Sequence, residues 1–175
     1  MMKNKFLIPI LSMLLPTALS GCSSSLTEST VCPSVKFVDG LDRMTFFKGS
    51  LKSKPSNRLF SSQMRGLGVK CDFSRDGANI EASFKIVSRW ADIKKEKIAE
   101  ITYFVAAVDP GGRILAKENF NLKIPFSNRN SEILQKQAVT PFFPKLLSSD
   151  FSGYKLLIGF QLTKSQVNFN LKNRR

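Results

Sequence analysis

From Leu67 to Phe126 apolar side chains recur at every second position instead of every third or fourth, a period that admits strands and excludes amphipathic helices over the middle of the chain. Leu67, Val69, Cys71 and Phe73 alternate with Gly68, Lys70, Asp72 and Ser74, and the alternation resumes after Asp76-Gly77 through Ala78, Ile80, Ala82, Phe84 and Ile86. Two strands joined by a tight turn are predicted, with Gly77 supplying a positive φ. Ile98 to Val108 is rich in β-branched and aromatic residues and runs into Asp109-Pro110-Gly111-Gly112, where Pro fixes φ and Gly accepts a positive one. Beyond that turn Ile114, Ala116, Glu118, Phe120, Leu122, Ile124 and Phe126 share one parity, and Lys117, Asn119, Asn121 and Lys123 take the other. One face is expected in the core and one in water. Glu118 interrupts the apolar parity, as expected at a strand end or bulge more than at a buried catalytic carboxylate.

The rest of the chain continues the pattern. Residues 131 to 140 read as a weaker strand that Pro141 and Pro144 terminate, and Tyr154 to Leu162 is apolar on both parities, as a central strand covered on both faces would be. Thr163-Lys164-Ser165-Gln166 matches a capping box, with Leu162 and Val167 placed as its hydrophobic staple. A single helical turn ending near Asn170 is expected. Trp90, beside the charged stretch 91–97, is expected to cap one end of the fold, with sugar or lipid binding as the alternative. Six or seven short strands with little helix predict an all-β fold: an antiparallel immunoglobulin-like or fibronectin-like β-sandwich with a short C-terminal helical turn. A small β-barrel is the alternative.

The N-terminal segment speaks to location. Lys3 and Lys5 precede an apolar run from Phe6 to Leu19, which ends at Leu19-Ser20-Gly21-Cys22. Charged, apolar and small residues in that order read as a secretory signal peptide over residues 1–21. Resemblance to bacterial lipoprotein signals makes Cys22 the thiol that carries diacylglycerol. The run is 14 residues long and contains Pro9 and Pro16, whereas a spanning helix needs about 20 apolar residues. Residues 22–31 are polar and read as a lipidated flexible tether, 32–171 as the sandwich domain, and 172–175 as a basic tail. By the same resemblance, Ser23 after the lipidated Cys favours the periplasmic leaflet of the outer membrane. Removing 21 from 175 residues leaves 154, a length suited to one domain with a core of its own.

Of three cysteines, Cys22 goes to lipid and Cys32 and Cys71 remain as a pair, expected to form a disulfide in an oxidising envelope compartment. The chain contains no His, which removes imidazole catalysis and the commonest metal ligand. No metal and no catalytic residue are assigned, and the lipid on Cys22 is the one attached group. Ser152-Gly153-Tyr154-Lys155 matches S-x-x-K, but it contains Gly and feeds a strand, where residues three apart point to opposite faces. Glu100, Asp109, Glu118 and Glu132 are too dispersed in sequence to argue a carboxylate pair. The net charge is +14, falling to +12 once Lys3 and Lys5 are removed. Such a surface suits anionic envelope components, nucleic acid being absent from that space. Lys94, Lys95 and Lys97, with Lys172, Arg174 and Arg175 in the tail, are the clustered candidates for contacting an anionic ligand; the plainer reading is that they only solvate the surface.

Three stretches resemble a family of small Gram-negative envelope lipoproteins whose function is unassigned. They are Cys32-Pro33 with Leu41 to Phe47, Tyr103-Phe104-Val105-Ala106 through Ile114-Leu115-Ala116-Lys117-Glu118, and Gly159-Phe160-Gln161-Leu162-Thr163 with Gln166 and Asn170. The chain departs from that pattern at residues 88–97, where a lysine-rich stretch replaces a Gly-Pro segment, and at Leu171, where Arg is expected. The resemblance implies an envelope location rather than an activity. Together these readings lead to a membrane-tethered, non-enzymatic module that docks on another envelope protein, with binding of an anionic lipid, glycolipid or wall polymer as the alternative.

Overall fold

The alternating pattern builds two stacked sheets in the computed structural model, which describes residues 31–48, 57–91, 96–127, 131–145 and 151–173. In chain order the elements are β1 (Ser34–Phe37), β2 (Arg43–Phe47), β3 (Arg58–Phe73), β4 (Gly77–Trp90), β5 (Lys97–Val108), β6 (Ile114–Phe126), β7 (Glu132–Val139), β8 (Phe142–Pro144), β9 (Lys155–Phe160) and α1 (Lys164–Lys172). One sheet has the order β1-β9-β5-β6 and the other β2-β3-β4-β7, with β8 also beside β4. β1 pairs with β9 in parallel, and the remaining pairs are antiparallel. Both sheets end in edge strands, so the molecule is a β-sandwich and not a closed barrel. The strands number nine among the described residues, against six or seven expected, and β3 and β4 are long, at 16 and 14 residues.

A bulge makes β3 that long. Register runs from Arg65↔Lys85 to Gly68↔Ser83, so three steps on β3 oppose two on β4, and Gly66 sits there at φ 63°. An extra residue reverses the side-chain parity of everything beyond it. Phe60, Ser62 and Met64 point inward before the bulge, and Val69 and Cys71 take the inward parity after it, opposite buried Ala82 and Ile80. Gly77 takes the positive φ expected of it and does a second thing as well. Its φ is 156°, and a Cβ there would collide with the Phe143 carbonyl oxygen, so glycine makes room for β8. The turn itself closes through Ser74, whose N–H and hydroxyl donate to the Gly77 carbonyl at 2.7 and 3.1 Å.

The β5–β6 turn follows its sequence. Gly112 adopts φ 87°, and the buried Asp109 carboxylate accepts the Arg113 backbone N–H at 2.8 Å and its Nε at 2.7 Å. Those bonds, the backbone one first, hold the Asp109 carboxyl below the usual carboxylate range. β9 lies between β1 and β5, the central position its two-sided hydrophobicity called for. Trp90 packs against Phe60 and Phe126, with ring centroids 5.9 and 5.6 Å away, and so caps one end of the core. Ser62 and Ser88, both buried, satisfy each other at 2.6 Å. Cys32 and Cys71 lie at disulfide distance, with Cα atoms 6.1 Å apart.

The capping box forms as read: the Thr163 hydroxyl accepts from Gln166 N–H at 3.3 Å, and Thr163 N–H donates to Gln166 Oε1 at 2.9 Å. The helix then passes Asn170 and runs to Lys172, longer than the single turn expected. Tertiary anchoring extends it. Buried Asn170 donates to the carbonyls of Gly40 and Arg43, both at 2.7 Å, and Phe169 packs on Phe47 at 5.0 Å.

Along β6 the expected parity holds from Phe126 back to Ala116. A bulge there sets Ile114 opposite Val108 and so on the other face, and burial does not follow the parity even that far. Ile124 and Phe126 are buried, whereas Ala116 and Glu118 are exposed and Ile114 is 63% exposed. Beyond Val139 the chain keeps the same register along β4 through Pro141 into β8, and Val139, Thr140 and Pro141 stand across from Ala116, Glu118 and Phe120 of β6. A cleft of about 570 Å³ remains there.

Candidate functional site

Strand pairing places cations where a single strand could not reveal them. On the outer face of the β2-β3-β4-β7 sheet, Arg65 lies opposite Lys85 and Lys85 lies opposite Lys136. All three are exposed. Like charges directly opposite one another on adjacent strands are destabilising, so this row is maintained against a cost that a ligand of opposite charge would relieve.

The neighbouring rows extend the positive face. Arg43 opposes Gln63, which opposes Val87, and in the row beyond, Ser61 opposes Arg89, which opposes Glu132. A shallow depression of about 460 Å³ is lined by Arg43, Arg58, Arg65 and Arg89 together with Ser61 and Gln63. Its cations are held in part: Arg65 donates through Nε and Nη2 to Gln63 Oε1 at 3.0 and 2.6 Å. Arg89 pairs with Glu132, and Arg43 Nε stands 4.0 Å from Asp42 Oδ1. Fixing the Arg65 guanidinium through one edge preorganises it for a carboxylate or phosphate. On the far side of the bulge the same face is balanced, since Lys70 lies opposite Glu81.

The clustered basic residues singled out from sequence stand elsewhere. Lys97 opens β5 and Lys172 lies in the last turn of α1, both exposed. Lys94, Lys95, Arg174 and Arg175 lie outside the described residues, as do Cys22, the signal segment and the greater part of the tether. The basic row was missed because its members come from three strands; the signal available was Lys85 and Arg89 on the polar parity of β4.

The dispersed carboxylates stay apart. Glu132 faces Arg89, Glu100 lies 3.5 Å from Lys123 Nζ, Asp109 is tied into its turn, and Glu118 lines the cleft beside β6. Ser152 lies in the turn before β9 and Lys155 on that strand. Among the described residues no group of three or more His, Cys, Asp or Glu could hold a metal ion, and no helix is long and apolar enough to cross a membrane. No family model, curated protein or solved structure matches this chain.

Proposed function

We propose that this protein is a lipid-anchored, non-enzymatic module of the cell envelope that binds an anionic envelope component through the outer face of the β2-β3-β4-β7 sheet. The observation that carries the ligand reading is the row Arg65, Lys85 and Lys136 on three adjacent strands. The anchoring half of the proposal rests on Lys3 and Lys5, the apolar run to Leu19 and the small residues before Cys22. Lack of histidine and the scattered acids favour a binding role over catalysis.

The test uses the mature chain with Cys22 replaced by serine, so that a lipid anchor cannot account for association. Cosedimentation is measured with vesicles of anionic phosphatidylglycerol and of neutral phosphatidylcholine. Each basic residue near an anionic surface contributes about 1 kcal/mol, so Lys85→Gln with Lys136→Gln should weaken binding to the anionic vesicles about 30-fold. High salt should abolish it, because the screening length falls to about 3 Å at 1 M. Equal binding to neutral vesicles, or an unchanged affinity in the double variant, would remove the ligand reading. An unmodified Cys22 sulfur in the mature protein by mass spectrometry would remove the anchor.

A further inference from the structure

As the outer strand of its sheet, β6 has one of its two rows of backbone groups without a partner strand among the described residues. Lys123 identifies that row: its carbonyl oxygen accepts from Gln135 Nε2 at 3.3 Å, across the gap toward β7. Backbone groups of alternate residues in a strand point the same way. Asn121, Asn119 and Lys117 therefore present their N–H and C=O groups to the gap.

The walls of the gap are apolar with a few polar groups. Ala116, Phe120, Val139 and Leu156 line the cleft, and Glu118 stands among them. From β7, Gln135 and Gln137 lie opposite Ile86 and Phe84 of β4 and so share the inward face. Gln137 Oε1 accepts from the Tyr103 hydroxyl at 3.2 Å. Gln135 donates to the Lys123 carbonyl, and its Oε1 is buried without a hydrogen-bond partner among the described residues, outside the lining of the cleft.

We infer that this cleft receives an extended segment of a partner protein, laid along β6 as an added strand, with apolar side chains on Ala116 and Phe120 and a Lys or Arg opposite Glu118. The open backbone row calls for main-chain donors and acceptors, which an apolar small molecule lacks. The Glu118 carboxylate in the cleft calls for a cation. A second copy of this chain fits poorly, because a net charge of +12 even after loss of Lys3 and Lys5 would meet itself and its β6 would bring Lys117 and Lys123 to the same edge.

Hydrogen exchange on the full chain in a neutral detergent tests the inference. The probe is a short blocked peptide alternating serine and valine, with lysine in place of its central valine; the control carries glutamate there. The lysine peptide should protect the Lys117, Asn119 and Asn121 amides and bind about tenfold more tightly than the glutamate peptide, as charge complementarity at one site allows. Asn119→Pro removes a donor from the open row and leaves the β5 pairing intact, since edge strands accept proline with the N–H side outward; it should abolish protection. Glu118→Gln, which leaves the backbone untouched, should erase the preference between the two peptides. Absence of peptide binding, binding without protection of those three amides, or a preference that survives Glu118→Gln would each overturn the inference. Lys85→Gln should leave peptide binding unchanged, which separates this cleft from the anionic-ligand face.

Discussion

The two ends of β6 have the same alternation and opposite fates. At one end Ile124 and Phe126 are 0% and 2% exposed, while at the other Ala116 and Glu118, on the same face, are both exposed. Phe126 meets Phe60 and Trp90 from the opposing sheet. At the far end Ala116 and Glu118 look across an open cleft toward Val139, Thr140 and Pro141. Period-two patterning reports which face of a strand is apolar, and it is silent on a bulge and on how closely the facing sheet approaches. Where cover runs out, an inward-parity residue becomes a residue available to a ligand.

Truncation at the two ends gives the largest expected contrast. Phe126→Ala should cost about 3–5 kcal/mol, the range for emptying an aromatic site in a packed core, read as a shifted urea midpoint with an unchanged slope. Ile114→Ala should stay within about 0.5 kcal/mol, as surface changes do. Equal losses at both ends would mean that the far end of β6 is buried in solution as well. Next in size is the cross-link. At the uncovered end of β3, Val69 and Phe73 are 45% and 37% exposed, and Cys71 between them is tied to Cys32. The two cysteines are 39 residues apart, and closing a loop of that length stabilises by about 4 kcal/mol in the chain-entropy account. Replacing both by serine should lower the melting temperature by about 10 °C for a domain of this size. A loss much smaller than that would show that burial, not the cross-link, holds this end.

Sequence made the turns and the central strand legible because each depends on a few adjacent residues. Asp109-Pro110-Gly111-Gly112 carries its own conformational preference, and Thr163 with Gln166 caps its helix locally. The first half of β3 was hidden by one residue. Continuing the odd parity of Leu67 backward gives Arg65, Gln63 and Ser61, which read as polar, while the inward set before Gly66 is Met64, Ser62 and Phe60. β1 and β2 are only four and five residues long, too short for periodicity to stand out. The full length of α1 depends on Asn170 reaching the carbonyls of Gly40 and Arg43, about 130 residues away in sequence. The basic row is a property of register, which fixes which residues of three strands share a line and is written in none of them alone.

The smallest expected effects concern that row, and their sign is what matters. Lys85 stands between Arg65 and Lys136, whereas Lys70, on the same face beyond the bulge, stands opposite Glu81. Cross-strand pairs contribute roughly 0.2–1 kcal/mol, favourable for opposite charges and unfavourable for like ones. Lys85→Gln should therefore raise folding stability by a few tenths of a kcal/mol at low ionic strength, and Lys70→Gln should lower it by a similar amount. Both differences should fade in 1 M salt, where the screening length is about 3 Å, shorter than the spacing between strands. Denaturation midpoints of the two variants in low and high salt decide the point. If Lys85→Gln destabilised the protein as Lys70→Gln does, the row would already be neutralised from within the molecule, and the physical reason for assigning it to an anionic ligand would be gone.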